Sequence, residues 1–231
     1  MSAEGIDEEN DTGFEPLGEM PSYTKAEQIK RAKDFFNHMA KRRTVREFSS
    51  RPVPRQVIEY AIKSAGRAPS GANKQPWHFA VISNPSMKAK LRVAAEAEEQ
   101  EFYGGRAGDE WLADLEKFGT DANKPFLETA PWLIVVFRQP YDVDEDGVKH
   151  VNYYAPESVG LAGGMLLAAL HDAGLVTLTH TPSPMGFLNE LCDRPKQEKA
   201  MMLVVAGLPA TDAEVPVITK KSLEEISTFF D

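Results

Sequence analysis

Apolar positions along the chain change period several times, and those changes mark out the elements. In "TKAEQIKRAKDFFNHMAKRR" (24–43), Ile29, Ala32, Phe36 and Met39 recur at helical spacing behind Thr24, which predicts a helix with a threonine cap. A second helix is predicted over "PRQVIEYAIKSAG" (54–66), with Pro54 at its start and Val57, Ile58, Ala61 and Ile62 turned inward. Short apolar runs predict strands at 78–83, 132–138, 175–181 and 201–207. Between the second and third of these lies "PESVGLAGGMLLAALHDAG" (156–174). It is apolar on nearly every face and is expected to be the central buried helix. Residues 1–22 have no period, are acidic and carry scattered Gly and Pro, so they are expected to form a flexible arm ahead of one domain, 23–231. Few, short strands separated by helices predict an α/β or α+β chain with one sheet between helical layers.

Composition narrows the functional classes. The chain has 231 residues, 42% hydrophobic and 26% charged, which suits a globular protein with a sizeable core. Acidic residues outnumber basic ones 35 to 26, for a net charge of −9, which argues against a nucleic-acid partner. The longest apolar run is too short to span a bilayer, and the N-terminus lacks the apolar segment of a signal peptide. The expected location is therefore the cytoplasm, with no membrane partner. The single Cys192 excludes an internal disulfide, and the five histidines show no paired spacing, so no metal is expected. Glycine fingerprints for dinucleotides and for nucleotide phosphates are absent, and so is the G-x-S-x-G elbow.

Three stretches carry candidate chemistry. "KRRTVREF" (41–48) gathers Lys41, Arg42, Arg43 and Arg46 at a predicted helix end. Such cations complement a helix dipole, or they hold a phosphate, whose oxygens match arginine forks. "RAPSGANKQPWHF" (67–79) is either a plain helix-to-strand connector or a loop whose amides approach a ligand closely at Gly71 and Ala72. "EAEEQEFYGGRAGDEWLADLEKFGTDANKP" (96–125) begins as an acidic helix, breaks at Gly104-Gly105 and ends on Lys124. It is either a solvated face or a lid. In the second case Glu99 and Tyr103, four apart on one helix face, join Lys124 in gripping an amino acid zwitterion.

Together and in this order, these stretches resemble the FMN-dependent nitroreductase superfamily, and within it the iodotyrosine deiodinase branch. "RRTVREFS" and "APSGANKQPWHF" are the superfamily marks; Glu-x-x-x-Tyr followed by the lysine is the mark of the branch. The likeness extends through "ETAPWLIVVF", "GGMLLAALHDAGLVTLTHTP" and "RPKQEKAMMLVVAGLP", from about residue 40 to 225.

The resemblance implies an α+β nitroreductase-like fold, a central mixed β-sheet flanked by helices, in an intertwined homodimer with exchanged C-terminal arms. It implies FMN, with Arg42, Arg43, Thr44 and Arg46 along its phosphate, ribityl chain and pyrimidine edge. Pro69, Ser70 and Gly71 would line the isoalloxazine. Thr179, His180 and Thr181 would run past the flavin, with the Thr181 hydroxyl near N5 as the catalytic group. Lys220 falls where relatives commonly carry an arginine toward the phosphate, and His180 where some carry a small hydroxyl residue. Ala72 would offer its amide to a substrate phenolate, while Glu99, Tyr103 and Lys124 bind the zwitterion. The implied activity is reductive dehalogenation of halotyrosines to tyrosine and halide, fed by an external electron donor or reductase linked to NADP. A general nitro- or quinone reductase, which needs no zwitterion site, and a non-catalytic flavin-binding protein are the alternatives.

Overall fold

The computed structural model describes residues 13–230, in two compact units, one ending at Ala40 and one starting at Lys41. In the first, residues 13–22 have no regular structure; the remainder of the expected arm, 1–12, lies outside the described residues. Helix α1, Lys25–Met39, begins where the spacing predicts. Thr24 closes a capping box: its hydroxyl accepts from the Glu27 amide at 3.3 Å, and the Glu27 carboxylate accepts from the Thr24 amide at 2.8 Å.

The second unit is built around a four-stranded sheet of order β1-β2-β6-β5, formed by β1 (Trp77–Ile82), β2 (Trp132–Arg138), β5 (Val176–His180) and β6 (Lys199–Gly207). Neighbouring strands are antiparallel. A parallel bridge, Thr44 to Thr177, adds the mixed element and anchors the arginine segment on β5, where the Val45 amide donates to the Thr177 carbonyl at 3.1 Å. The apolar run of β2 is explained by its place, since a central strand buried on both faces has no reason to alternate. Leu133, Val135 and Phe137 face one layer, with Leu91 and Ala95 of α3 (Pro85–Glu101), α5 (Phe126–Thr129) and Leu188 of α7 (Phe187–Leu191). Ile134 and Val136 face the other, with Ile58, Ala61 and Ala65 of α2 (Arg55–Ala65) and Val159, Leu166 and Leu170 of α6 (Ala155–Asp172).

One expectation needs correction, and one segment adds an element the pattern did not predict. Helix α6 is not buried all round: Gly160, Leu161, Gly164 and Met165 form an exposed small and apolar face. Residues 141–151, unassigned from the sequence, form an exposed hairpin of β3 (Tyr141–Val143) and β4 (Lys149–Val151). Its turn is closed by Asp144, whose carboxylate accepts from the Asp146 and Val148 amides, with Gly147 at φ 79°. Among the described residues no helix is long and apolar enough to cross a membrane. After α3 the chain makes a wide turn, Phe102–Arg106, then α4 (Asp109–Glu116); a short α8 (Leu223–Ile226) lies near the end.

Candidate active site

Strand β5 ends on Thr179 and His180, Thr181 follows directly, and their alternation separates them. Thr179 and Thr181 are exposed while His180 is buried. All three line a cavity of about 440 Å³. Its other walls come from Arg46, from Glu99, Phe102 and Tyr103 at the end of α3, from Trp111 and Leu115 of α4, and from Lys124. A second cavity, about 270 Å³, is lined by Arg42, Arg43, Thr44, Arg46, Leu115, Pro216, Ile218 and Lys220. The two share Arg46 and Leu115 in their walls, so the cationic cavity adjoins the one walled by Glu99, Tyr103 and Lys124. The fold thus joins Arg42, Arg43, Thr44, Arg46 and Lys220 across the whole length of the unit. Arg43 donates to the Pro216 carbonyl, which ties the C-terminal segment to the arginine segment.

The chemistry of that donor set fits FMN. Three guanidinium groups, an ammonium and a hydroxyl around one small hollow suit a phosphate dianion and the polar chain attached to it. Thr179 and Thr181 line the adjoining cavity.

In the first cavity, Glu99, Tyr103 and Lys124 come together. Lys124 Nζ is 3.2 Å from Glu99 Oε2, 3.1 Å from Thr120 Oγ1 and 5.6 Å from the centre of the Tyr103 ring. The pair is held from behind. The Lys124 amide donates to Glu96 at 2.7 Å, and Arg92 binds Glu96 at 2.7 Å, Glu128 at 3.2 Å and Asn123 at 2.8 Å. Burial pushes the Glu96 carboxyl up, but the Lys124 amide and Arg92 outweigh it and hold it below its usual value. Above the cavity, Phe102 sits edge-on to Tyr103 at 5.3 Å and to Trp111 at 4.9 Å. Gly105, at φ 144°, turns the chain between these aromatics in a region L side chains rarely enter.

His180 points to the Glu99 side. Its Nε2 is 3.9 Å from Glu99 Oε1, and its ring stands edge-on to Phe126 at 5.7 Å. Burial, then the charges of Lys124 and Arg46, push its pKa down to about 3, so the ring is neutral at physiological pH.

Pro69, Ser70, Gly71 and Ala72 are not brought to either cavity. They form a tight turn, Gly71–Asn73, in which Ala72 has φ 48° and the Ser70 hydroxyl accepts from the Gln75 amide at 2.9 Å. A Cβ on Gly71 would stand 2.8 Å from the Tyr153 carbonyl, so this turn lies hard against the chain leading into α6.

Sequence reasoning did not single out Thr120, Phe126, Met185 and Met201 as wall residues, nor the Arg92–Glu96 brace. For the brace a signal existed, a cation and a carboxylate four apart on α3. The partner of Glu96 on the far side is a backbone amide, and residue type does not encode that.

With this geometry in hand, the chain belongs to the nitroreductase family, whose model matches residues 39–208. Within it the chain belongs to the iodotyrosine deiodinase branch. It is 56% identical over 195 residues to the iodotyrosine deiodinase of Haliscomenobacter hydrossis, covering 84% of this chain and 88% of that one. It is 46% identical to that of Nematostella vectensis, covering 96% of this chain and 84% of the relative. A crystal structure of an oxidised iodotyrosine deiodinase bound to FMN and 3-iodo-L-tyrosine superposes with TM-score 0.71 at 30% identity. It covers 84% of this chain and all of that one.

Proposed function

We propose that the protein is an FMN-dependent oxidoreductase that removes halide from halogenated tyrosines. The observation that carries this is the Glu99–Lys124 pair, held mostly away from water beside Tyr103, in the cavity that adjoins the arginine cluster. A nitro- or quinone reductase has no use for two opposite charges held away from water at the substrate end. A free amino acid has the complement: its ammonium goes to Glu99, its carboxylate to Lys124 and the Tyr103 phenol.

On this reading Arg42, Arg43, Thr44, Arg46 and Lys220 hold the cofactor's phosphate and ribityl chain. Thr179, His180 and Thr181 run past its ring, with the Thr181 hydroxyl at the reacting face. Pro69, Ser70 and Gly71 approach the ring, and Ala72 gives its amide to the phenolate, from a second copy of the chain. That assignment makes the protein a homodimer, and the exposed face of α6 and the exposed C-terminal side chains from Val217 to Phe230 support it. Bound FMN supplies the two electrons that, with one proton, convert the carbon–halogen bond to carbon–hydrogen and release halide. An external donor or reductase, linked to NADP in the cytoplasm, would restore them. The protein's part is to orient the ring, exclude water with the 96–125 lid and tie closure to the right ligand.

The test is direct. FMN-loaded protein, reduced with dithionite, should release iodide from 3-iodotyrosine, and Glu99→Gln and Lys124→Met should each lose most of that activity. Reduction of nitroaromatics without iodide release, or full activity in both variants, would sink the reading.

A further inference from the structure

Buried polar atoms in folded proteins nearly always have a hydrogen-bond partner, and each exception calls for an explanation. His180 Nε2 is such an exception: the side chain is 8% exposed and the atom has no hydrogen-bond partner among the described residues. It faces Glu99 Oε1 at 3.9 Å, beyond hydrogen-bond range yet within a small shift of it. The other Glu99 oxygen, Oε2, is the one engaged by Lys124.

We infer that His180 is a positioning residue for Glu99: its Nε2–H donates to Glu99 Oε1 when the Glu99–Lys124 pair opens to admit an amino acid zwitterion. The inference rests on the zwitterion reading above and goes beyond it, because it assigns the strand histidine to the cavity that takes the substrate.

The physical case has three parts. First, an arriving carboxylate takes Lys124 Nζ, which frees Oε2 of Glu99 for the ammonium. Oε1 then needs a donor to hold the carboxylate in place, and His180 is the side chain already facing it. Second, that donor must be uncharged. A cation there would compete with the ligand's ammonium for Glu99; a neutral imidazole orients the carboxylate and leaves its charge for the ligand. Burial, then the charges of Lys124, on the loop before α5, and Arg46, on the segment bridged to β5, keep the ring neutral. Third, the ring is fixed. Its backbone is paired in register with Leu203 of β6, and Phe126 stands edge-on to it. A rigid donor loses little entropy in forming one hydrogen bond.

The test uses FMN-loaded protein and equilibrium binding read from flavin fluorescence, with 3-iodotyrosine and 2-iodophenol as probes. His180→Phe keeps a ring and removes the donor; His180→Gln keeps an N–H of similar reach. The expected result is about a tenfold loss for 3-iodotyrosine in His180→Phe, the size of one hydrogen bond to a charged group. That loss is read relative to any change in 2-iodophenol binding, since both ligands share whatever the substitution does beside the flavin, and His180→Gln should recover most of it. Equal losses for both ligands, or no rescue by glutamine, would overturn the inference while leaving the zwitterion reading intact. A parent protein that binds 3-iodotyrosine no better than 2-iodophenol would remove both. Nitrogen NMR of the His180 ring needs no variant. The hydrogen should reside on Nε2, and its resonance should move with 3-iodotyrosine and not with 2-iodophenol; a hydrogen on Nδ1 in the complex overturns the assignment.

Discussion

Glu99 Oε2 and Lys124 Nζ stand 3.2 Å apart, with their side chains 12% and 4% exposed, so each charge is balanced inside the protein before any ligand arrives. A ligand must replace that balance on both sides. Removing one partner of a buried ion pair typically costs about 3–5 kcal/mol, because the other charge is left without compensation.

Recognition should therefore be all-or-none in charge. A ligand with both charges replaces both partners, a bare halophenol leaves the pair closed, and a ligand with one charge strands the other residue. Iodotyramine and 3-(3-iodo-4-hydroxyphenyl)propanoate are expected to bind no better than 2-iodophenol, with 3-iodotyrosine at least about tenfold tighter than all three. Titration of the four ligands decides it. If either singly charged ligand recovers most of the gain, the pair does not act as a unit.

The hydroxyl of Thr181 is expected to matter for dehalogenation in particular. It lines the hollow just past the end of β5, exposed, while the neighbouring His180 is buried in its wall toward Glu99. Thr181→Ala should slow iodide release and spare or raise nitroaromatic reduction, whereas Thr181→Ser should keep the parent ratio. The measurement is both turnover rates for the three proteins side by side. Serine and alanine behaving alike would reduce Thr181 to a strand end.

Acid sensitivity should trace in part to His180. Its folded pKa is pushed down to about 3 from a usual value near 6.5, so between those values the unfolded chain binds the extra proton. The stability it supports is complete above about pH 6.5 and falls as pH drops toward 3. The slope is at most about 1.4 kcal/mol per pH unit for one proton. Urea unfolding of the parent and of His180→Gln at pH 7, 5.5 and 4.5 should show the parent losing more. Parallel losses would assign the effect to other groups.

Gly207 marks a close approach. A Cβ there would stand 2.6 Å from Pro131 Cδ and 3.3 Å from the Phe48 ring, and a proline ring cannot rotate aside. Gly207→Ala should cost about 1–3 kcal/mol, seen as a lower denaturant midpoint with unchanged slope. A shift below about 0.5 kcal/mol would mean that β6 and Pro131 slide apart freely.

How far the sequence carries the structure depends on what each residue answers to. The run "WLIVVFR" spells a central strand, and β2 occupies the same residues, because burial on both faces acts on every position. Helix α6 carries the same signal, yet leaves Gly160, Leu161, Gly164 and Met165 uncovered. Apolar composition says that a face is to be hidden; it does not say whether this chain hides it. The β3–β4 hairpin went unassigned because two three-residue strands, paired only with each other, need no apolar pattern. At the site, the spacing of Glu99 and Tyr103 was legible, since both answer to one helix. The direction of His180 was not, for it depends on which face of β5 turns inward.

The separation of residues 69–72 from the Arg46–Thr181 hollow has a genetic consequence. If each functional centre draws its two halves from two chains, then two inactive chains can repair one another. One chain would carry Arg46→Ala, the other Gly71→Val in the turn. Each alone has no intact centre, but a mixed pair puts both lesions in one centre and leaves the other whole. Random pairing after co-refolding at equal amounts makes half the pairs mixed, each with one sound centre of two, so roughly a quarter of the parental activity should return.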